Sequence, residues 1–196
     1  MPEEETFSDL NGINGGRLHA VIESIDQADE NAHFELRTHN RWVNGAHCFS
    51  KIKDFKYAGR EYTNRAKLFI VDADEPDVLL GTDYGPNATE WALHALAGCL
   101  NTTFIYHASM RGVNVHELIF DVEGGLDIRG FLGLDENIRP GFQWIRVRCA
   151  IEADASEEEL RELVDIARRH SPVFDSIAHG VPVTVEVVSA DEEKAA

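Results

Sequence analysis

WALHALAGCLNTTFIYHASM, residues 91–110, contains no Asp, Glu, Lys or Arg, in a chain where those residues make up 27%. Asn87 is a sound N-cap, Glu90 three positions on completes a capping box, and Arg111–Gly112 closes the far end. The run therefore reads as one long helix. About 20 apolar residues would span a bilayer. The contents argue otherwise: His94, Asn101, Thr102, Thr103, His107 and Ser109 interrupt the run, and unpartnered polar groups are costly in lipid. A helix uncharged on every side, beside amphipathic neighbours, is expected in a large core or a subunit interface. At its centre lies a single cysteine, Cys99.

The bulk properties bound the rest. The 196 residues suit one domain, and 43% hydrophobic content is enough for one core. A net charge of −17 repels nucleic acid and anionic membrane surfaces. The bias, with five lysines against thirteen arginines, suits a high-salt host or simply a very soluble protein. Met1, Pro2 and Glu3–Glu5 lack the basic and apolar opening of a signal peptide, so the expected compartment is the cytoplasm, with reduced thiols. Cys48, Cys99 and Cys149 show no metal-type spacing, and the nine histidines form no HxxxH or HxH pair. No cofactor or metal is expected.

Along the chain, residues 1–12 are expected as a disordered acidic start, 13–190 as a single domain and 191–196 as an acidic tail. Period-two alternation between turn residues predicts strands over 17–25, 32–38, 47–55 and 61–74, joined as antiparallel hairpins. A turn-rich segment, 75–87, leads to the uncharged helix. Strands are predicted again over 115–128 and 142–153, the second with Ile145, Val147, Cys149 and Ile151 on one face. Ser156, with Glu159, caps a helix whose apolar stripe is Leu160, Leu163, Val164 and Ala167. Ser171-Pro172 starts another helix that ends at Gly180, and 181–189 is predicted as a final strand. Segregated strands and helices give an α+β fold.

GTDYGPNATEWALHALAGCL (81–100), FLGLDENIRPGFQWIRV (131–147), RRHSPVFD (168–175) and GVPVTVEV (180–187) together resemble the OsmC/Ohr family of osmotically induced proteins and organic hydroperoxide reductases. The resemblance runs from about Arg41 to Val188. It implies an intertwined homodimer in which antiparallel sheets wrap two long central helices. It also implies thiol chemistry: a helix cysteine, matched here by Cys99, attacks a peroxide and becomes a sulfenic acid. In the family an arginine holds that thiol as thiolate, a glutamate holds the arginine, and a second cysteine before proline closes a disulfide. That second cysteine falls on Ser171. The glutamate position falls on Thr89, with Glu90 one step, or about 100°, further round the helix. Arg41 and Arg60 are the candidate arginines, and Phe49 stands where related sequences often carry Arg.

Each residue also has a plainer reading. Cys99 is a reactive thiol or a small buried hydrophobe. Cys48 is a candidate resolving thiol, and Cys149 reads as core. His94 and His107 lie about 140° and about 80° round the helix from Cys99, so they read better as core or interface residues. Arg129 is a salt-bridge residue or a pocket liner. Trp91, Phe104, Tyr106 and Trp144 are pocket walls or ordinary core. Two functions follow. The first is one-cysteine reduction of organic hydroperoxides in oxidative or osmotic stress, with an external thiol as reductant. The alternative is a non-catalytic dimer binding a small hydrophobic ligand. Neither calls for nucleic acid or membrane.

Overall fold

The computed structural model describes residues 7–189. Residues 1–6 of the expected disordered start, and the expected tail 191–196, lie outside them. The uncharged run forms the long helix α2, after a first helix and six short strands: α1 (Gly15–Gln27), β1 (Phe34–Leu36), β2 (His39–Asn44), β3 (His47–Ile52), β4 (Phe55–Tyr57), β5 (Arg60–Tyr62), β6 (Phe69–Ala73) and α2 (Ala88–Met110). Then follow β7 (Val115–Gly125), the single turn α3 (Ile128–Phe131), β8 (Trp144–Ala153), α4 (Glu157–His170) and α5 (Pro172–His179). The fold is α+β, and every strand pairing among the described residues is antiparallel.

The sheets are small. β2-β3-β6 and β1-β4-β5 are three-stranded, and β7-β8 form a long two-stranded ribbon paired from Val115↔Ala153 to Gly125↔Trp144, with a register shift between Val115 and Glu117 and an unbroken register from Glu117 onward. β8 alternates as its sequence requires, with Ile145, Val147, Cys149 and Ile151 half-buried and the arginines between them exposed. α2 packs against α4, β7 and α5. Leu96, Leu100, Phe104 and Ala108, spaced four apart, form its buried stripe. Phe104, Ala108, Val113, Leu163 and Ala167 form the core, where alanines at 108 and 167 leave room for the Phe104 ring. Both predicted capping boxes form: Asn87 with Glu90, and Ser156 with Glu159. Among the described residues no helix is long and apolar enough to cross a membrane.

Two predicted strands are not strands. Residues 17–25 lie inside α1, capped by Asn14, whose side chain accepts from the Arg17 N–H. Leu18, Val21, Ile22 and Ile25 recur at helical spacing, and that period outweighs the β-branched residues within it. Residues 181–189 form no strand, and Val183, Val185 and Val187 are 78%, 89% and 100% exposed. Alternation prepares two faces, but a strand also needs a neighbouring backbone. The 61–74 run is broken between β5 and β6, β2 forms from a stretch too polar to suggest it, and the strand predicted to Ile128 ends at Gly125.

Near the start of the chain, residues expected to fray are anchored. Asn11 donates from Nδ2 to Ser109 Oγ and to the Val113 carbonyl, and its Oδ1 accepts from the Val115 N–H at 2.8 Å. Ser109, itself 3% exposed, donates onward to the Leu10 carbonyl. The end of α2 and the start of β7 are thereby tied to residues 10–11.

Candidate functional site

Cys99 is half-buried on the flank of α2, and all three cysteines are free thiols. On an ideal helix it points within about 60° of Ala95, Thr102 and Tyr106. These three side chains are exposed, with Gly98 beside them, so α2 keeps an uncharged open face opposite its buried stripe. Cys149 is different. Burial alone pushes its thiol up to about 11, which keeps it protonated and inert at neutral pH. Cys48 lies on β3 opposite Trp42 and Ala73, with Asn40 Nδ2 donating to its sulfur at 3.4 Å.

The other candidate residues are placed as follows. The Glu90 carboxylate accepts from the Asn87 N–H at 2.8 Å, so it serves as the cap and stands about 180° round α2 from Cys99. Thr89 donates to Asn87 Oδ1 in the same cap. Arg41 is exposed on β2, opposite Phe49, and Arg60 is exposed on β5. Ser171 is 0% exposed and caps α5, its Oγ accepting from the Phe174 N–H. A hydroxyl suits that post, since Ser is among the best N-caps. Arg129 resolves as a salt-bridge residue, forked onto Asp127 at 2.6 Å.

The start of α2 carries a constellation that the sequence did not suggest. Asp74, 3% exposed, accepts from the Glu75 and Thr82 N–H groups at 2.9 Å, from Thr82 Oγ1 at 2.6 Å and from the Tyr84 N–H at 3.3 Å. These bonds hold its carboxyl down at about 2, with the Thr82 hydroxyl the largest cause. Next to it, His47 Nε2 meets Asp72 Oδ1 at 2.9 Å and its ring lies over Tyr84. Trp91 Nε1 donates to the Asp72 carbonyl, and the Trp91 ring meets His94 edge-on. Gly81 has no room for a side chain, because a Cβ there would come within 1.7 Å of the Glu75 carbonyl. The outcome is a fixed loop and an open cleft of about 700 Å³ lined by Asp83, Gly85, Pro86, Glu90, Trp91 and His94. Asp74→Ala strips four donors of their acceptor, and it should lower the melting temperature by about 5 °C. A scanning calorimetry trace that matches wild type would refute this role.

His107 rests against His170 across the α2–α4 contact, with ring centroids 5.4 Å apart. Burial first, then His170 and Arg111, lowers its proton affinity below the ordinary 6.5. The folded state therefore prefers neutral His107, and its contribution is intact above pH 6.5 and lost as pH falls through the lowered folded value. The melting temperature should drop between pH 7.5 and pH 5, and less steeply in His107→Gln. Identical slopes would contradict it. His116, raised by Asp154, acts in the opposite sense, but equally in both proteins.

A second cavity, of about 360 Å³, opens between α2, β8 and α5. Leu96, Phe142, Trp144, Val147 and Phe174 line it, and Arg139 stands at it as the single charged residue of the lining. Cys99 is not part of that lining. No group of three or more His, Cys, Asp and Glu residues among the described residues could hold a metal ion.

Comparison with known proteins joins these observations. The family model described as OsmC-like protein matches residues 81–186, more than half of the chain. Among solved structures, the OsmC-like protein of Mycoplasma pneumoniae is 16% identical, with a TM-score of 0.57 over 74% of this chain and 87% of that one. An organic hydroperoxide resistance protein OsmC from Legionella pneumophila is also 16% identical, with a TM-score of 0.51 over 74% and 91% of the two chains. An osmotic stress induced and detoxification response protein from Psychrobacter arcticus is 11% identical, with a TM-score of 0.52 over 71% and 85%. No curated protein matches the chain.

Proposed function

Given that the chain belongs to the OsmC-like protein family, we propose that it reduces organic hydroperoxides through a single thiol, Cys99, as a homodimer. The observation that carries this reading is the place of Cys99: half-buried in mid-helix, beside an open, uncharged face. Cys149 is held protonated by burial, so it does not compete for the role. The Legionella neighbour, named for organic hydroperoxide resistance, supports the substrate class.

The proposed chemistry takes two stages. The Cys99 thiolate attacks one peroxide oxygen, the O–O bond breaks, and the alkoxide leaves as an alcohol after taking a proton. Cys99 is then a sulfenic acid. With serine at 171, an external thiol resolves it, releasing water and forming a mixed disulfide. A second external thiol frees Cys99 and departs as a disulfide. A thiol in mid-helix lies too far from the helix N-terminus to be helped by its dipole, so a cation beside it would have to hold the thiolate. We assign that role to Arg41 of a second copy, because β2 is exposed along its whole length.

Three open features support the homodimer. They are the Ala95–Gly98–Thr102–Tyr106 face of α2, the exposed strand β2 and the bare valines of 181–187. The test is loss of cumene hydroperoxide with dithiothreitol as reductant, together with dimedone trapping on Cys99. Turnover and a Cys99 adduct are expected. No consumption above buffer and no adduct would end the peroxidase reading. Sedimentation should give about twice the 21.9 kDa chain mass.

A further inference from the structure

The cavity between α2, β8 and α5 is a built one. Gly124 and Gly125 leave the end of β7 bare, and two aromatic rings use the space. A Cβ on Gly124 would come within 2.8 Å of the Phe142 ring, and one on Gly125 within 2.5 Å of Trp144 Nε1. Phe142 and Trp144 therefore lie close against the strand and wall the cavity, with Leu96, Val147 and Phe174 completing it. Gly130 does similar work behind them. It seats α3 against the Ile138 and Arg139 carbonyls, where a Cβ would approach to 2.7 Å, and so it fixes the backbone that carries Arg139.

Arg139 is the informative residue. Acids outnumber bases 35 to 18 in this chain, and Arg129 and Arg146, on either side in sequence, each hold a carboxylate. Arg139 makes no ion pair and no side-chain hydrogen bond with any described residue. An uncommitted guanidinium beside an apolar hollow matches a ligand with a planar anion at one end and hydrocarbon at the other. We propose that this cavity binds a small amphipathic monocarboxylate, its tail against Leu96, Phe142, Trp144, Val147 and Phe174 and its carboxylate on Arg139. The site does not rest on the chemistry of Cys99. Its volume, about 360 Å³, limits the ligand to a medium-length chain or a single ring system.

The test compares sodium octanoate with octan-1-ol by titration calorimetry on the full chain. Octanoate should bind about tenfold more tightly than octanol, because a hydrogen bond to a charged group outweighs one to a hydroxyl. Hexanoate should bind about tenfold more weakly than octanoate, two methylenes being lost from the apolar wall. Arg139→Gln should erase the preference for the carboxylate while leaving octanol affinity unchanged, which also reports that the variant is folded. Cys99→Ser should bind octanoate as wild type does, so failure of the peroxidase reading leaves this one standing. Equal affinity for octanoate and octanol, or a preference that survives Arg139→Gln, overturns the proposal. So does the absence of binding by either probe, the result expected if residues 181–189 or a second copy fill the cavity.

Discussion

Cys99→Ser should reduce hydroperoxide consumption to the uncatalysed background, a loss of about a thousandfold or more. The serine hydroxyl is nearly isosteric with the thiol, but it forms no stable analogue of the sulfenic acid, so no turnover remains through that position. The substitution falls at a half-buried point on the flank of α2, outside the stripe of Leu96, Leu100, Phe104 and Ala108, so the fold should survive it. Two companion variants give the experiment its resolution. Cys149→Ser should keep full activity, because burial pushes that thiol to about 11 and leaves it no thiolate at neutral pH. Cys48→Ser should also keep activity when dithiothreitol is in excess. A large loss there would identify Cys48 as a resolving thiol and replace the one-cysteine scheme. If Cys99→Ser consumed cumene hydroperoxide as fast as wild type, the nucleophile would lie elsewhere.

Phe104→Ala should destabilise the protein by about 4 kcal/mol, measured as a lowered midpoint in urea with little change in slope. Phe104 is 0% exposed, and it sits where α2, β7 and α4 meet, packed with Ala108, Val113, Leu163 and Ala167. The neighbours that would have to move into the vacancy belong to two helices, each stiffened by its own backbone hydrogen bonds, and to the paired strands β7 and β8. The hole therefore stays largely open and its full penalty is felt. Such a loss is a large share of the stability of an ordinary domain. A penalty below about 1.5 kcal/mol would mean that α4 can slide to fill the gap. The core described above would then be looser than its burial suggests.

The elements legible in the sequence were those whose evidence is local. α2 announced itself by lacking charge over twenty residues and by Asn87 and Glu90 at its head. Ser156 and Glu159 did the same for α4, and Ser171-Pro172 for α5. For α2 and α4 the capping side chain and its partner are three residues apart, so chemistry and spacing can be read together. α1 was misread because Val21, Ile22 and Ile25 favour strands individually, while their spacing favours a helix. The site divided along the same line. The mid-helix place of Cys99 and the helix start at Ser171-Pro172 lie within single elements and were legible there, whereas the capping role of the Ser171 hydroxyl was not read from the sequence. The Asp74 loop anchor joins residues up to ten apart, and His47 reaches Asp72 across 25 positions. Arg139 meets its cavity only because α2, β8 and α5 converge. None of those contacts falls at the three- or four-residue spacing that a cap or a helix face makes readable.

The valines of 181–187 also bear on the behaviour of the newly made chain. A row of exposed β-branched side chains is an adhesive edge, open to any extended segment that comes near. Pro182 and Glu186 temper that edge, the first by withholding an N–H and the second by placing a charge on the face opposite the valines. The net charge of −17 adds repulsion between chains at long range. Crowding and salt thus become the hazards for a newly made molecule, and its acidity is what holds neighbouring chains apart.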